Sequence, residues 1–201
     1  MDLSAPLSDV MPGVRGALLG VLCRLEQPVT RRRLAELAGV APGHASKVVE
    51  DLIASGLVAE TIAGRSSMVT LNRGHLAAPA VMALAGLRGE LIARLRARFA
   101  EMGDVRGAWL FGSVARGDSG TDSDVDVLVI VDDLDTSGFH DQVARLHTDV
   151  RVWTGNDLQL VEHTQQTWDR LVRAKNPLAA EIRRDGIVLM QSEAVLPGCV
   201  E

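Results

Sequence analysis

The sequence predicts a chain of two domains: a small helical domain that ends in a β-hairpin, then an α/β (α+β) domain with a mixed sheet flanked by helices. Apolar residues recur at helical spacing up to about residue 56, and two short β-rich runs follow. After Gly103 the apolar pattern changes to the period of two that is typical of strands. We therefore place the first domain at residues 1–76, a connecting helix at 77–103 and the second domain at 104–201.

Three helices are predicted in the first domain. The first covers about residues 13–27 and ends at Pro28. Thr30 is the expected N-cap of the second helix, which stops at Gly39. The third begins at Pro42, a favoured position in the first turn of a helix, and closes at Gly56. A tight turn therefore joins the second and third helices.

The runs "LVAETIAG" and "SMVTLN", joined at "GRSS", predict a β-hairpin after the third helix. Helix, helix-turn-helix and hairpin together make a winged helix. Over about residues 12–73 the chain resembles the winged helix-turn-helix domains of bacterial transcription regulators. The resemblance implies that this domain binds double-stranded DNA, with the third helix in the major groove.

Five residues are the candidates for contacting DNA. His44, Ser46 and Lys47 lie at the start of the third helix, Arg31 opens the second helix, and Arg65 lies at the tip of the hairpin. The alternative is that the cations are solubilising charges, and we favour DNA contact. Winged helices also act as dimerisation modules, so a homodimer formed through this domain is the alternative.

The charge is unevenly divided along the chain. Residues 1–80 hold eight Arg and Lys against seven Asp and Glu, whereas residues 81–201 hold thirteen against nineteen. Binding of nucleic acid by the whole surface is therefore not expected, and any DNA contact must be a local patch of the first domain.

The sequence predicts a protein of the cytoplasm with no membrane partner. Its longest uncharged apolar run has only about a dozen residues, whereas a membrane-spanning helix needs roughly 18 or more. The acidic start lacks the features of a secretion signal, and two cysteines are too few for a disulfide framework.

The second domain is predicted from alternating strands and helices. An amphipathic helix at 79–102 leads into the strands "VRGAWLF" and "DVDVLVIV". A helical stretch, "FHDQVARLHTDVRVW", precedes the strand "DLQLVE", and helices continue to about Arg184.

Two aspartates at the start of the second of these strands form a candidate metal site. Because side chains alternate between the faces of a strand, Asp124 and Asp126 point the same way. Two neighbouring carboxylates repel each other unless a cation lies between them, and oxygen ligands from Asp suit Mg²⁺. Upstream, the turn Gly112-Ser113 allows backbone N–H groups and a hydroxyl to approach phosphate oxygens.

The string "GSVARG" followed by "SDVDVLV" resembles the signature of the DNA polymerase β-like nucleotidyltransferase superfamily, in its minimal bacterial form, over about residues 104–189. The matching residues are Gly112, Ser113, Arg116, Gly117, Asp124 and Asp126. The resemblance implies transfer of a nucleoside monophosphate from an NTP, with ATP the expected substrate, to a hydroxyl acceptor. It also implies two Mg²⁺ ions held by three carboxylates, and nucleotide binding by Gly112, Ser113, Arg116 and Ser123. Alternatively, Arg116 only pairs with Asp118 on the surface.

The third carboxylate of the superfamily lies on a later strand, and Asp157 at the head of "DLQLVE" is the candidate metal ligand and general base. The strand can instead present Gln159 or Glu162, and a glutamine cannot act as a base. Without a usable third carboxylate, the chain would be a DNA-binding regulator that senses nucleotide through a degenerate nucleotidyltransferase domain.

Overall fold

The computed structural model describes residues 1–64, 66–134 and 137–192. The chain divides into two units, one holding Asp2 and residues 4–87, the other holding Met1, Leu3 and the chain from Arg88 onward. The first unit contains helices α1 (Pro6–Val10), α2 (Val14–Arg24), α3 (Arg31–Leu37), α4 (Pro42–Ala54) and α5 (Ala78–Ala85), with strands β1 (Val29–Thr30), β2 (Val58–Ala63) and β3 (Ser66–Leu71).

The first unit is a winged helix, as predicted. The Thr30 hydroxyl accepts a hydrogen bond from the Arg33 amide at 3.1 Å and caps α3, while Pro42 occupies the first turn of α4. Strands β2 and β3 form the antiparallel hairpin, and β1 joins them in the order β1-β3-β2. Buried apolar residues of α2, α3, α4 and the hairpin form one core. Helix α1 and strand β1 were not predicted.

The prediction of a single connecting helix over residues 77–103 is wrong, because the chain forms two helices there. Helix α5 ends at Ala85, and α6 (Leu87–Ala100) begins after Gly86. The amide of Gly86 donates to the carbonyls of Met82 and Ala83, which closes the last turn of α5. Glycine is a poor residue for a helix interior, and Gly86 and Gly89 both fall in this stretch. The division between the two units also falls here, at Leu87 and Arg88.

The second unit is built on a mixed sheet flanked by helices, as the sequence predicted. Strand β4 is antiparallel to β5 and β7, whereas β5 and β6 are parallel, in the order β6-β5-β4-β7. Strand β7 was not predicted. The elements after α6 are β4 (Val105–Phe111), α7 (Gly112–Arg116), β5 (Val125–Val131), α8 (Ser137–Thr154), β6 (Leu158–Thr164), α9 (Gln165–Arg173), α10 (Pro177–Asp185) and β7 (Ile187–Gln191).

From Val127 to Val131 strand β5 is buried on both faces, which explains the apolar run that follows Asp126. Val125, Val127 and Val129 belong to one core, together with residues of α6 and α8. Leu128 and Ile130 belong to the other, together with residues of α9 and α10. Asp126 lies on this second face because side chains alternate along a strand. Among the described residues, no helix combines the length and apolar composition that crossing a bilayer requires.

Candidate functional site

The turn after strand β4 lies directly against one of the two predicted metal ligands. Gly112 has a φ of +71°. A Cβ atom on this residue would overlap the carboxylate of Asp126, so only glycine fits without displacing that side chain. The backbone that begins the Gly112-Ser113 turn and the Asp126 carboxylate are therefore in contact.

Asp124 and Asp126 lie at the start of β5, in different surroundings. Asp124 is exposed in the loop before the strand, and Asp126 is half-buried on it. Burial is the main cause that raises the pKa of Asp126 above its usual value. The negative charges of Asp124 and Glu181 raise this pKa further, and the positive charge of Arg116 opposes them. A bound cation would relieve the repulsion between these carboxylates.

Arg116 is held by two carboxylates. Its guanidinium donates to Asp118 at 3.2 Å and to Glu181 of α10 at 2.8 Å. The hydrogen bond with Asp118 is the main cause that raises the pKa of Arg116. The pairing with Asp118 considered from the sequence is therefore present, and Glu181 adds a second partner. Whether Arg116 also contacts a nucleotide stays a prediction.

The loop between α7 and β5 is fixed by short-range hydrogen bonds. The amides of Gly117 and Asp118 donate to the carbonyl of Ser113, at 2.9 and 3.1 Å. The Ser123 hydroxyl accepts from the Gly120 amide at 2.8 Å. Ser123 therefore shapes the loop that leads to Asp124, and its contact with nucleotide stays a prediction. The side chain of Arg88, a residue of α6, donates to the carbonyls of Val114 and Ala115 at the end of α7. The distance from its Nε to the Val114 carbonyl oxygen is 2.6 Å.

The parallel pairing of β5 with β6 distinguishes the three residues that are candidates for the third member of the metal site. Gln159 is in register with Asp126 and shares its face of the sheet. Glu162 is in register with Val129, whose side chain belongs to the opposite core, so it faces away from Asp126. The third candidate, Asp157, is two residues before Gln159, and its carbonyl accepts from the Val125 amide at 2.8 Å.

Asp157 lies immediately before β6, and its side chain is already paired. It lines a cavity of about 230 Å³ together with Asp124, Ser123 and Arg151. Its side chain is 72% exposed and pairs with Arg151 at 2.5 Å. Within the described ranges, no three His, Cys, Asp or Glu side chains are grouped closely enough to hold a metal ion. Asp157 as the third ligand therefore stays a prediction.

The candidate DNA-contacting residues of the first unit differ in their surroundings. Arg31 donates to Glu60, at 2.7 Å, and to Glu50, at 3.2 Å, so much of its charge is neutralised locally. It shares a surface cavity of about 430 Å³ with Ser46. His44 and Lys47 are exposed on α4. Arg65 lies outside the described residues.

Sequence reasoning missed two residues that contact the site. Glu181 pairs with Arg116 across 65 positions of sequence, and Asn156 contacts the loop before Asp124 across 33. No spacing in the sequence indicates either contact, because both depend on how distant segments pack.

A mixed four-stranded sheet, with a glycine-serine turn against a strand-borne carboxylate, defines a nucleotidyltransferase-type domain, joined here to a winged helix. The family model described as Polymerase beta, Nucleotidyltransferase matches residues 94–194, and the chain belongs to this family.

Solved structures resemble parts of the chain. The match to the crystal structure of a toxin-antitoxin with AMP-PNP has 20% sequence identity and a TM-score of 0.35. It covers 53% of this chain and 75% of the matched chain. The MarR family transcriptional regulator SPO1453 from Silicibacter pomeroyi DSS-3 has 21% identity, coverages of 50% and 75%, and a TM-score of 0.36. The adhesin competence repressor AdcR from Streptococcus pyogenes has 15% identity, coverages of 44% and 65%, and a TM-score of 0.33. No curated protein matches the chain.

Proposed function

We propose that the protein is a Mg²⁺-dependent nucleotidyltransferase that moves a nucleoside monophosphate from an NTP, with ATP the expected donor, to a hydroxyl acceptor. The observation that carries this proposal is the contact between the Gly112 backbone and the Asp126 carboxylate. It brings a turn suited to phosphate next to a carboxylate suited to a cation. A nucleoside triphosphate with its bound metal ion needs a phosphate-binding turn and a metal-binding carboxylate side by side.

The residues at the start of β5 fit Mg²⁺ by their chemistry, since Asp124 and Asp126 offer only oxygen ligands. Asp157 is the candidate for completing the set, and this requires it to leave Arg151. When bound, a pair of Mg²⁺ ions neutralises charge on the attacking and leaving oxygens of an in-line displacement.

The chain's own groups bind and orient the reactants. Backbone amides at Gly112-Ser113 and the Ser113 hydroxyl would hold phosphate oxygens, and Arg116 would contact the polyphosphate. The acceptor oxygen forms a bond to the α-phosphorus, the bond from that phosphorus to the bridging oxygen breaks, and pyrophosphate leaves. The proton of the acceptor hydroxyl passes to the carboxylate of Asp157.

Labelled nucleotide tests this proposal. Purified protein is incubated with α-labelled NTPs, Mg²⁺ and lysate fractions, and transferred label is located in each fraction. We expect transfer by the wild type and none by the double variant Asp124→Asn, Asp126→Asn, which should stay folded because Asp124 is exposed, Asp126 is only half-buried and asparagine keeps the shape of both side chains. Unchanged Mg²⁺-dependent NTP affinity in the folded double variant, measured by calorimetry, would exclude this site.

We propose further that the winged helix binds double-stranded DNA through α4. The exposed positions of His44 and Lys47 near its start support this proposal. Gel shifts at low salt with mixed genomic fragments provide the test. Absence of a complex, together with a dimer in solution, would favour the dimerisation role.

A second candidate function is a DNA-binding regulator that senses nucleotide without transferring it. Gln159, an amide that cannot act as a base, is in register with Asp126, and Asp157 is paired with Arg151. Both observations favour this candidate. It predicts that Mg²⁺ with a non-hydrolysable ATP analogue changes DNA affinity while no lysate fraction accepts label. Transfer to any acceptor would reject it.

A further inference from the structure

Asn156 is a buried polar side chain beside the candidate site that the proposed chemistry does not use. It is 5% exposed and lies in the short connection between α8 and β6. Burying an amide is unfavourable unless its polar atoms are hydrogen-bonded. The partners of this amide therefore indicate what it holds in place.

The amide of Asn156 bridges to the loop that precedes Asp124. Its Nδ2 donates to the carbonyl of Ser123 at 2.7 Å and to that of Thr121 at 3.3 Å. It also exchanges hydrogen bonds with Met1, whose carbonyl lies 3.1 Å from Nδ2 and whose nitrogen lies 2.7 Å from Oδ1. The strongest of the loop contacts is therefore to the residue immediately before Asp124.

Asn156 is itself anchored to the end of α8. Its backbone amide donates to the Thr154 hydroxyl at 3.0 Å, and that hydroxyl donates to the carbonyl of Val150 at 2.7 Å. Val150 is fully buried in the core shared by α8 and the sheet. A rigid helix end thus determines where the Asn156 side chain projects.

The backbone on both sides of Asp124 is tied to two consecutive residues. Asn156 binds the carbonyl of Ser123, and the carbonyl of Asp157 accepts from the Val125 amide. The exposed carboxylate of Asp124 is consequently carried by a peptide segment that is fixed before and after it. A metal ligand that is held in this way pays little ordering entropy when the ion binds.

We propose that Asn156 is a positioning residue, which fixes the loop at residues 121–123 and thereby places Asp124 for the metal. This inference rests on the proposed function, because it assigns Asn156 a role in Mg²⁺-dependent nucleotide binding. Partners that orient metal ligands typically contribute about 10- to 100-fold to metal affinity or activity. Replacement of Asn156 therefore weakens the metal site.

The test compares Asn156→Ala with the wild type and with Asn72→Ala. Asn72 is the matched control: its Nδ2 donates to the carbonyl of Gly56 at 2.8 Å within the winged helix, which belongs to the other unit. Binding of a non-hydrolysable ATP analogue is titrated by calorimetry at several Mg²⁺ concentrations. We expect the Mg²⁺ concentration for half-maximal binding to rise about 10- to 100-fold in Asn156→Ala and to stay unchanged in Asn72→Ala.

A double-mutant cycle separates positioning from a general loss of structure. If Asn156 acts through Asp124, Asn156→Ala has little further effect in an Asp124→Asn background, because the group it places is already gone. Full additivity of the two changes would overturn the inference, as would wild-type Mg²⁺ dependence in folded Asn156→Ala. If Asn156→Ala does not fold, Asn156→Ser replaces it, since its short hydroxyl cannot bridge both carbonyls. Wild-type protein that binds no Mg²⁺-nucleotide refutes the proposed function itself, and the inference with it.

Discussion

At the scale of single residues, Gly112 has the most specific structural requirement in the candidate site. Any other residue at this position must keep a backbone φ of +71°, which costs an L-residue about 1–2 kcal/mol. Its Cβ atom would also displace the Asp126 carboxylate. We expect Gly112→Ala to weaken Mg²⁺-dependent NTP binding by more than about tenfold, equivalent to 1.4 kcal/mol. Calorimetric titration measures the loss.

Gly89 in α6 provides the control for that substitution. It has no positive φ, and a Cβ built on it meets no atom within 4 Å. Gly89→Ala should leave NTP binding unchanged and stabilise the helix by about 0.5–1 kcal/mol. Equal binding by Gly112→Ala and Gly89→Ala would show that the turn does not touch the nucleotide.

The role of Asp157 distinguishes the two candidate functions, a nucleotidyltransferase and a regulator that senses nucleotide without transferring it. Its task is separable from that of Asp124 and Asp126, which can hold the metal that accompanies the triphosphate. We expect Asp157→Asn to nearly preserve NTP binding and to lower transfer by about 10²–10⁴-fold or more, because general-base assistance contributes that much. Single-turnover assays with labelled NTP measure both quantities.

Glu162 is the matched control on the same strand, since it faces the opposite side of the sheet from Asp126. Glu162→Gln should therefore transfer at the wild-type rate. A rate within roughly threefold of wild type in Asp157→Asn would exclude Asp157 as the base, because this is far below the effect of a general base.

At the scale of elements, the sequence predicted those whose signals are local. The periodicity of α2 and α4, the Thr30 cap of α3 and the alternation in β5 are properties of a few consecutive residues. The strand β7 is a short apolar run that exists by pairing with β4 across the chain, so its pattern alone does not distinguish helix from strand. The break at Gly86 was missed because the apolar stripe continues through it.

The candidate site likewise contains features that have a local sequence signal and contacts that have none. The Gly112-Ser113 turn and the two carboxylates of β5 are close in sequence and could be predicted together. The contacts of Asn156 and Glu181 depend on tertiary packing and carry no local signal. The choice among Asp157, Gln159 and Glu162 needed the register between β5 and β6, which only the sheet defines.

Helix α4 is the element whose charge tests the DNA proposal. Lys47 is exposed on it, whereas the charge of Arg31 is offset by Glu50 and Glu60. We expect Lys47→Ala to weaken DNA binding and to reduce the salt slope by about 0.9, the value for one lost phosphate contact. Adding a substitution of Arg65 should lower both further.

Gel shifts or fluorescence anisotropy at several salt concentrations measure this effect. Arg173→Ala is the control, because Arg173 is an exposed cation of α9 in the other unit. An unchanged salt slope in Lys47→Ala would remove Lys47 from the interface. An equal effect of Arg173→Ala would show that net charge, rather than α4, determines binding.

At the scale of the whole molecule, each unit has its own core, so stability and nucleotide binding should separate. Leu52 is fully buried in the core of the winged helix, and Leu128 is fully buried in the sheet, on the face that carries Asp126. Truncating a buried leucine to alanine costs about 2–5 kcal/mol. We expect Leu52→Ala to lower the melting temperature of the first unit alone and to leave Mg²⁺-dependent NTP binding intact.

Leu128→Ala should have the complementary effect, because it loosens the sheet that carries the carboxylates. Differential scanning calorimetry with and without Mg²⁺ and the ATP analogue measures both variants. Ligand stabilises only the transition of the unit that binds it, so the transition that shifts with nucleotide should be the one that Leu128→Ala lowers. A single transition that both substitutions lower equally would mean that the units unfold together. In that case Leu52→Ala would reduce nucleotide binding through stability alone, and its measured affinity would have to be corrected for the fraction of unfolded protein.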